Sequence, residues 1–154
     1  AGNVAPADRE PARAVFAANL RVAAAKAAAH GIKLLLEPLN PHDNPGYFYS
    51  TLLEAISLLD ELALANVQLQ FDVYHVARAE GDVLAKLNRY REYIGNVQIA
   101  GVPARDEPDE GEIAYPAIFA ALEKLPYRGW IGCEYHPRGD TDVGLGWLER
   151  VGRL

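Results

Sequence analysis

Four short apolar runs in the chain each end in an oxygen-bearing side chain. LLLEPLN carries Glu37, LQFDVYH carries Asp72 and, three residues on, His75, NVQIAG carries Gln98, and IGCEYHP carries Glu134. Three carboxylates and a carboxamide oxygen make a hard donor set that suits Mg²⁺ or Mn²⁺ rather than copper. Crowded together without a cation, the carboxylates repel one another and their pKa values rise. A divalent cation removes that repulsion and polarises a substrate carbonyl and its neighbouring hydroxyl. Two glutamates on opposite sides of a sugar-like substrate can then take a proton from one carbon and return it to the next.

Taken singly, each of these residues has a plainer reading. A glutamate at a strand end is ordinarily a solvated rim charge, an aspartate there caps a loop, a glutamine hydrogen-bonds, and a histidine packs. Arg105 sits in the acid-rich loop ARDEPDEGE and reads as one partner of a salt-bridge group. His42 and His136 lie beside prolines in loops, Cys133 reads as buried core, and Tyr47, Phe48, Tyr74 and Tyr135 either line a pocket or pack. Weight comes from the coincidence that four consecutive runs all end in metal-competent residues.

The elements that must position them follow a simple order. An Ala-rich helix is predicted over Glu10 to His30, with Asp8 before it, Pro11 in its first turn and Gly31 beyond its end. IKLLLEPLN is a strand, PHDNPGYFYS a turn-rich loop, and Thr51 to Leu64 an amphipathic helix. Ser50 or Thr51 caps that helix, with Glu54 placed for a capping box. The pattern then repeats. VQLQFDVYH is a strand ending at Asp72 and Asp82 to Tyr93 a helix that Gly95 breaks. NVQIAGVP is a strand ending near Gln98 and Tyr115 to Leu125 a helix. RGWIGCEYHP is a strand ending at Glu134, and a short helix over Gly144 to Arg150 closes the chain. One helix followed by four βα units predicts an α/β fold with a parallel sheet. Near-continuous apolar strands fit a sheet covered on both faces. Sites in such folds are built at the carboxyl ends of the strands.

Bulk properties narrow the field. The 154 residues, half of them hydrophobic, suit a single domain over 1–154. A formal charge of -6 with scattered Lys and Arg makes a poor nucleic-acid binder. One cysteine excludes an internal disulfide and a Cys-rich zinc site. No apolar run approaches the roughly 20 residues of a membrane helix, and AGNVAPADREPARA lacks the build of a secretory signal. A cytoplasmic location is the expectation.

LLLEPLN, LQFDVYH, NVQIAGVPARDEPDEGEIAYPAIF and GWIGCEYHP together resemble the C-terminal part of the hydroxypyruvate isomerase family. That family falls within the xylose-isomerase-like barrels, which also hold the ketose 3-epimerases. The resemblance covers nearly the whole chain. It implies a (β/α)8 TIM barrel with Mg²⁺ or Mn²⁺ at its C-terminal face. It also implies an aldose–ketose isomerisation of hydroxypyruvate and tartronate semialdehyde through an enediolate. Carried over, it makes Glu37, Asp72, Gln98 and Glu134 the metal ligands, Glu37 and Glu134 also the proton-transfer pair, and His75 and Arg105 substrate contacts. Glu112 resembles a loop glutamate of the site's architecture. Gln98 stands where the epimerases carry histidine, which argues against an epimerase. Ala104 and Asp106 flank Arg105 where the resemblance predicts Gly and His. The alternatives are a 2-oxo-tetronate isomerase, a ketose 3-epimerase-like enzyme, which Gln98 disfavours, and a non-catalytic half-barrel that keeps only the ligands.

Length sets a further expectation. A full barrel takes about 250 residues. By the resemblance the chain starts at the end of strand four and lacks strands one to three and most of the fourth. A four-stranded remainder has two open edges, and its inner face is predicted to expose Val, Leu and Ile. Pairing with a second copy, or with the missing N-terminal half, is expected, and a small sugar acid is the expected substrate.

Overall fold

A computed structural model describes residues 2–151. After a 3-10 turn at Pro6–Asp8 come α1 (Arg9–Ala28), β1 (Leu34–Leu36), α2 (Leu52–Leu62), β2 (Val67–Asp72), α3 (Val73–Ala79) and α4 (Val83–Arg89). A second 3-10 turn at Arg91–Tyr93 precedes β3 (Ile94–Ile99), α5 (Tyr115–Lys124), β4 (Ile131–Cys133), α6 (Thr141–Gly144) and α7 (Trp147–Val151). The four strands form one sheet in the order β1-β2-β3-β4, every pair parallel. The expected helix and four βα units are therefore present. Among the described residues no helix is long and apolar enough to cross a membrane.

Local chemistry explains the well-read elements. Thr51 and Glu54 make the capping box at the start of α2, with the Glu54 amide donating to Thr51 Oγ1 and the Thr51 amide to Glu54 Oε2. Gly31, just beyond α1, takes a positive φ of 68°. Asp8 occupies the N-cap position of α1 but makes no side-chain cap bond.

Three elements differ from expectation. The VYH that reads as the tail of a strand is the first turn of α3. Asp72 Oδ1 accepts the backbone amides of Tyr74 (2.8 Å) and His75 (3.3 Å), so the last residue of β2 is also the cap that turns the chain into a helix. The helix expected over 82–93 stops at Arg89, and Gly95 lies inside β3, at the register shift between β2 and β3. A Cβ there would come within 2.7 Å of Gln68 Cβ and Leu35 Cδ2, so glycine lets three strands close up. The last expected helix divides into α6 and α7.

The two sheet faces separate by the period-two rule. Leu36, Leu69, Phe71, Val97 and Ile99 join the buried core with residues of α1, α2 and α5. The inner face is not the apolar surface expected. It carries Gln68, Gln70, Asp72, Asn96 and Gln98, with Glu37 and Glu134 at its rim and Leu35 as its apolar member. Asn96 Nδ2 donates to Gln70 Oε1 across the β2–β3 pair at 3.2 Å. In β2 and β3 the hydrophobic residues point to the helices, which leaves the amides to point inward. Cys133 is exposed rather than in the core, because β4 is an edge strand paired on one side only.

Candidate metal centre

All four expected ligands arrive at the carboxyl end of the sheet. Glu37 directly follows β1, Asp72 ends β2, Gln98 is the penultimate residue of β3, and Glu134 directly follows β4. Asp72 is in register with Gln98, and Gln98 with Gly132, two residues before Glu134. One ligand atom from each of Glu37, Asp72, His75 and Glu134 lies within 4.8 Å of the others. Oxygens about 2.1 Å from one shared Mg²⁺ lie up to ~4.2 Å apart, so the group spans a single cation after a small contraction.

The hydrogen-bond inventory supports that fit. Glu37 Oε1, Asp72 Oδ2 and Gln98 Oε1 are buried with no hydrogen-bond partner. Each is an acceptor, and buried acceptors without donors are costly. Asp72 divides its carboxylate cleanly, because Oδ1 caps α3 while Oδ2 is the orphan. Three orphaned oxygens at the carboxyl ends of adjacent strands are the kind of donors a hard cation needs.

Electrostatics agree. Burial, reinforced by the charges of Asp72 and Glu134, pushes the Glu37 carboxyl up to about 8. Burial raises Asp72 to about 6, against the pull of the two amides it accepts. His75 moves the other way, to about 4, because it is buried and faces the Arg105 cation. Between His75's ordinary value of 6.5 and pH 8, Glu37 is the member of this cluster that still changes charge. The fold holds its proton where the unfolded chain has released it, so the stability of the metal-free protein is expected to fall as pH rises through that window. Below the window His75 acts with the opposite sign. Mg²⁺ or Mn²⁺ added at the upper end should raise the melting temperature. Thermal melts across the window, with and without metal, check this; a melting temperature indifferent to both contradicts it.

Arg105 is drawn into the site rather than into its acidic loop. Its Nη2 donates to Glu134 Oε2 at 2.5 Å, and its guanidinium lies 4.9 Å from the centre of the Tyr74 ring. A left-handed backbone at Arg105 (φ 58°) gives the loop this shape. Its amide donates to Gly101 O and its carbonyl accepts from His136 N, each at 2.8 Å. The loop acids pair with Arg138 instead, which bridges Glu107, Asp109 and Glu110. His75 is buried against Asn40, whose backbone and side-chain nitrogens lie 3.1 and 2.8 Å from Nδ1. Glu112 is exposed and outside the metal-competent group. Tyr135 packs against the core and accepts from Trp147 Nε1. Sequence reading missed Asn40 and Arg138. The only signal for either is a polar residue a few positions beyond a strand end.

Residues 1–151 match the sequence profile of the xylose isomerase-like TIM barrel family. The chain belongs to that family. Among its xylose isomerase-like relatives, the 2-oxo-tetronate isomerase of Cupriavidus necator is 50% identical over 145 residues, which are 94% of this chain and 56% of that protein. The hydroxypyruvate isomerase of Escherichia coli is 39% identical over 140 residues, 91% of this chain and 54% of that protein. A solved structure described as an AP endonuclease, family 2, from Brucella melitensis superposes with a TM-score of 0.88 at 47% identity, covering 91% of this chain and 54% of that one. The chain thus spans about half the length of the curated relatives it matches, and its parallel four-stranded sheet is a part of the family's barrel.

Proposed function

We propose that the chain is the metal-holding part of a sugar-acid isomerase that moves a proton between adjacent carbons of a short 2-oxo acid, hydroxypyruvate being interconverted with tartronate semialdehyde. The observation that carries this reading is the meeting of Glu37, Asp72 and Glu134 at one end of the sheet, with Gln98 in register beside Asp72 and one oxygen each of Glu37, Asp72 and Gln98 left without a partner. These four residues would hold a divalent cation, Mg²⁺ or Mn²⁺. When bound, the cation supplies polarisation of the substrate's carbonyl and adjacent hydroxyl.

The chain's own residues do the rest. Asp72 and Gln98 leave from the inner strands, while Glu37 and Glu134 leave from the outer strands β1 and β4 and so flank a bound acid. One glutamate takes the proton from the hydroxyl-bearing carbon. The C–H bonding pair becomes the carbon–carbon double bond of the enediolate as the carbonyl pair moves onto its oxygen. The neighbouring carbon then receives a proton from the same carboxyl or its partner, and the hydroxyl proton passes to the former carbonyl oxygen as the new carbonyl forms. Arg105 and His75 hold substrate oxygens by hydrogen bonds. Tyr74 supports the Arg105 guanidinium from behind. The net charge of -6 favours a small acid held by one local arginine over nucleic acid. A second reading, 2-oxo-tetronate as substrate, is favoured by identities of 50% and 44% to two 2-oxo-tetronate isomerases.

The test is turnover of each acid by the purified chain with added Mg²⁺ or Mn²⁺, beside a calorimetric titration of the metal. Turnover of hydroxypyruvate supports the main reading. Turnover of the four-carbon acid alone moves the substrate. Metal binding with no turnover of either leaves a half-barrel that keeps its ligands only. The inner sheet face is proposed to be covered in the active molecule by a second copy or by the other barrel strands. Solution mass by light scattering separates those two.

A further inference from the structure

His75 is the one member of the metal-competent group whose role its neighbours decide, and the neighbour that decides it is Asn40. Asn40 is fully buried, three residues beyond Glu37. Its Oδ1 accepts the backbone amides of His42 (3.1 Å) and Asp43 (3.0 Å). Backbone amides only donate, so this end of the side chain is the oxygen and the other is the NH₂. Nδ2 lies 2.9 Å from Asp43 Oδ2 and 2.8 Å from His75 Nδ1. One of its hydrogens goes to the carboxylate and the second to the ring. The backbone amide of Asn40 donates to the same ring nitrogen at 3.1 Å. A nitrogen that receives two donors carries no hydrogen of its own.

We infer that Asn40 fixes His75 as the tautomer protonated on Nε2, so that His75 offers a hydrogen-bond donor to a substrate oxygen and stays out of the metal's ligand set. Ligation needs an unprotonated ring nitrogen with a free lone pair. Nδ1 is unprotonated but taken by Asn40, and Nε2 carries the hydrogen. Asn40 is held in turn by Asp43, which accepts from Tyr74 Oη at 2.6 Å, and Tyr74 is the ring beneath Arg105. One connected network thus sets both donors of the site. A substrate must then offer acceptor oxygens at both places. Only this last consequence rests on the isomerase reading; the tautomer does not.

The experiment is a long-range ¹H–¹⁵N spectrum of the chain with ¹⁵N-labelled histidines, taken with and without Mg²⁺. His75→Gln identifies the signal. The expected result is a His75 ring with hydrogen on Nε2 and none on Nδ1 in both conditions. In Asn40→Ala the ratio of the two tautomers should fall about 5-fold or more as a hydrogen bond is lost. Asn40→Asp keeps an oxygen for the two amides and places an acceptor beside Nδ1, so it should draw a hydrogen onto Nδ1. A wild-type ring with hydrogen on Nδ1, a ring that changes tautomer when Mg²⁺ is added, or an unaltered tautomer in Asn40→Asp overturns the inference. The wild-type spectrum decides the matter even where a variant does not fold. An inactive chain with the Nε2–H ring fails the isomerase reading and keeps this one; an active chain with the Nδ1–H ring does the reverse.

Discussion

Glu37→Gln and Glu134→Gln are each expected to lower kcat for sugar-acid isomerisation by about 10²–10⁴-fold, the range lost when a positioned proton-transfer group is removed. Glutamine preserves size and one oxygen but cannot carry the proton. The two variants should part company in stability. Glu37 is half-buried and its carboxyl holds its proton up to about 8. Glutamine there removes a charge the site resists, so the metal-free variant should melt no lower than the parent at pH 8. Glu134 is exposed and paired with Arg105, and its loss releases that arginine. Steady-state kinetics at saturating metal, with metal affinity measured separately by calorimetry, check the pair. If either variant keeps activity within about 3-fold of the parent, that glutamate has no part in proton transfer. A change confined to KM would reassign it to substrate binding.

Phe71→Ala is expected to be the most damaging of the single core truncations near the site. Phe71 is fully buried, on the helix-facing side of β2, and stands between Gln70 and Asp72, which face the other way. Removing a buried aromatic ring costs about 3–5 kcal/mol in lost transfer energy and residual cavity. That is a large share of the roughly 5–15 kcal/mol that holds a domain folded. Urea denaturation should show the midpoint drop with an unchanged slope. Metal affinity should weaken as well, because the ring fixes the strand that delivers Asp72. A loss under about 1 kcal/mol would mean the core collapses around the gap.

The parts of this molecule that local chemistry dictates are the parts its sequence displays. Apolar runs ending in Glu37, Asp72, Gln98 and Glu134 mark both the strands and the sheet end where the candidate ligands sit. The Thr51–Glu54 capping box marks the start of α2. Helix α3 stayed hidden because its first residues, VYHV, are β-branched and aromatic and favour a strand; a carboxylate that also serves the metal-competent group starts it. The polar inner face is masked in the sequence for a related reason. Gln68, Gln70, Asn96 and Gln98 recur at alternate positions, yet the strands read as continuous apolar runs because their hydrophobic neighbours dominate. Asn40 and Arg138 act through contacts 35 and 31 residues away in the chain, which no local pattern records.

The inner face of the sheet has a consequence for what can lie against it. Gln68 Oε1 and Gln70 Nε2 are buried without partners, and each such atom left unanswered costs about 1–3 kcal/mol. A greasy slab accepts a covering surface at many offsets. A row of amides does not, since sliding a covering strand by one step sets donor against donor. A cover for this face is therefore expected to be chosen by matched polarity and a fixed alignment rather than by stickiness. Joining this half to the complementary half of a relative should succeed or fail on whether that polar pattern is kept, more than on overall likeness.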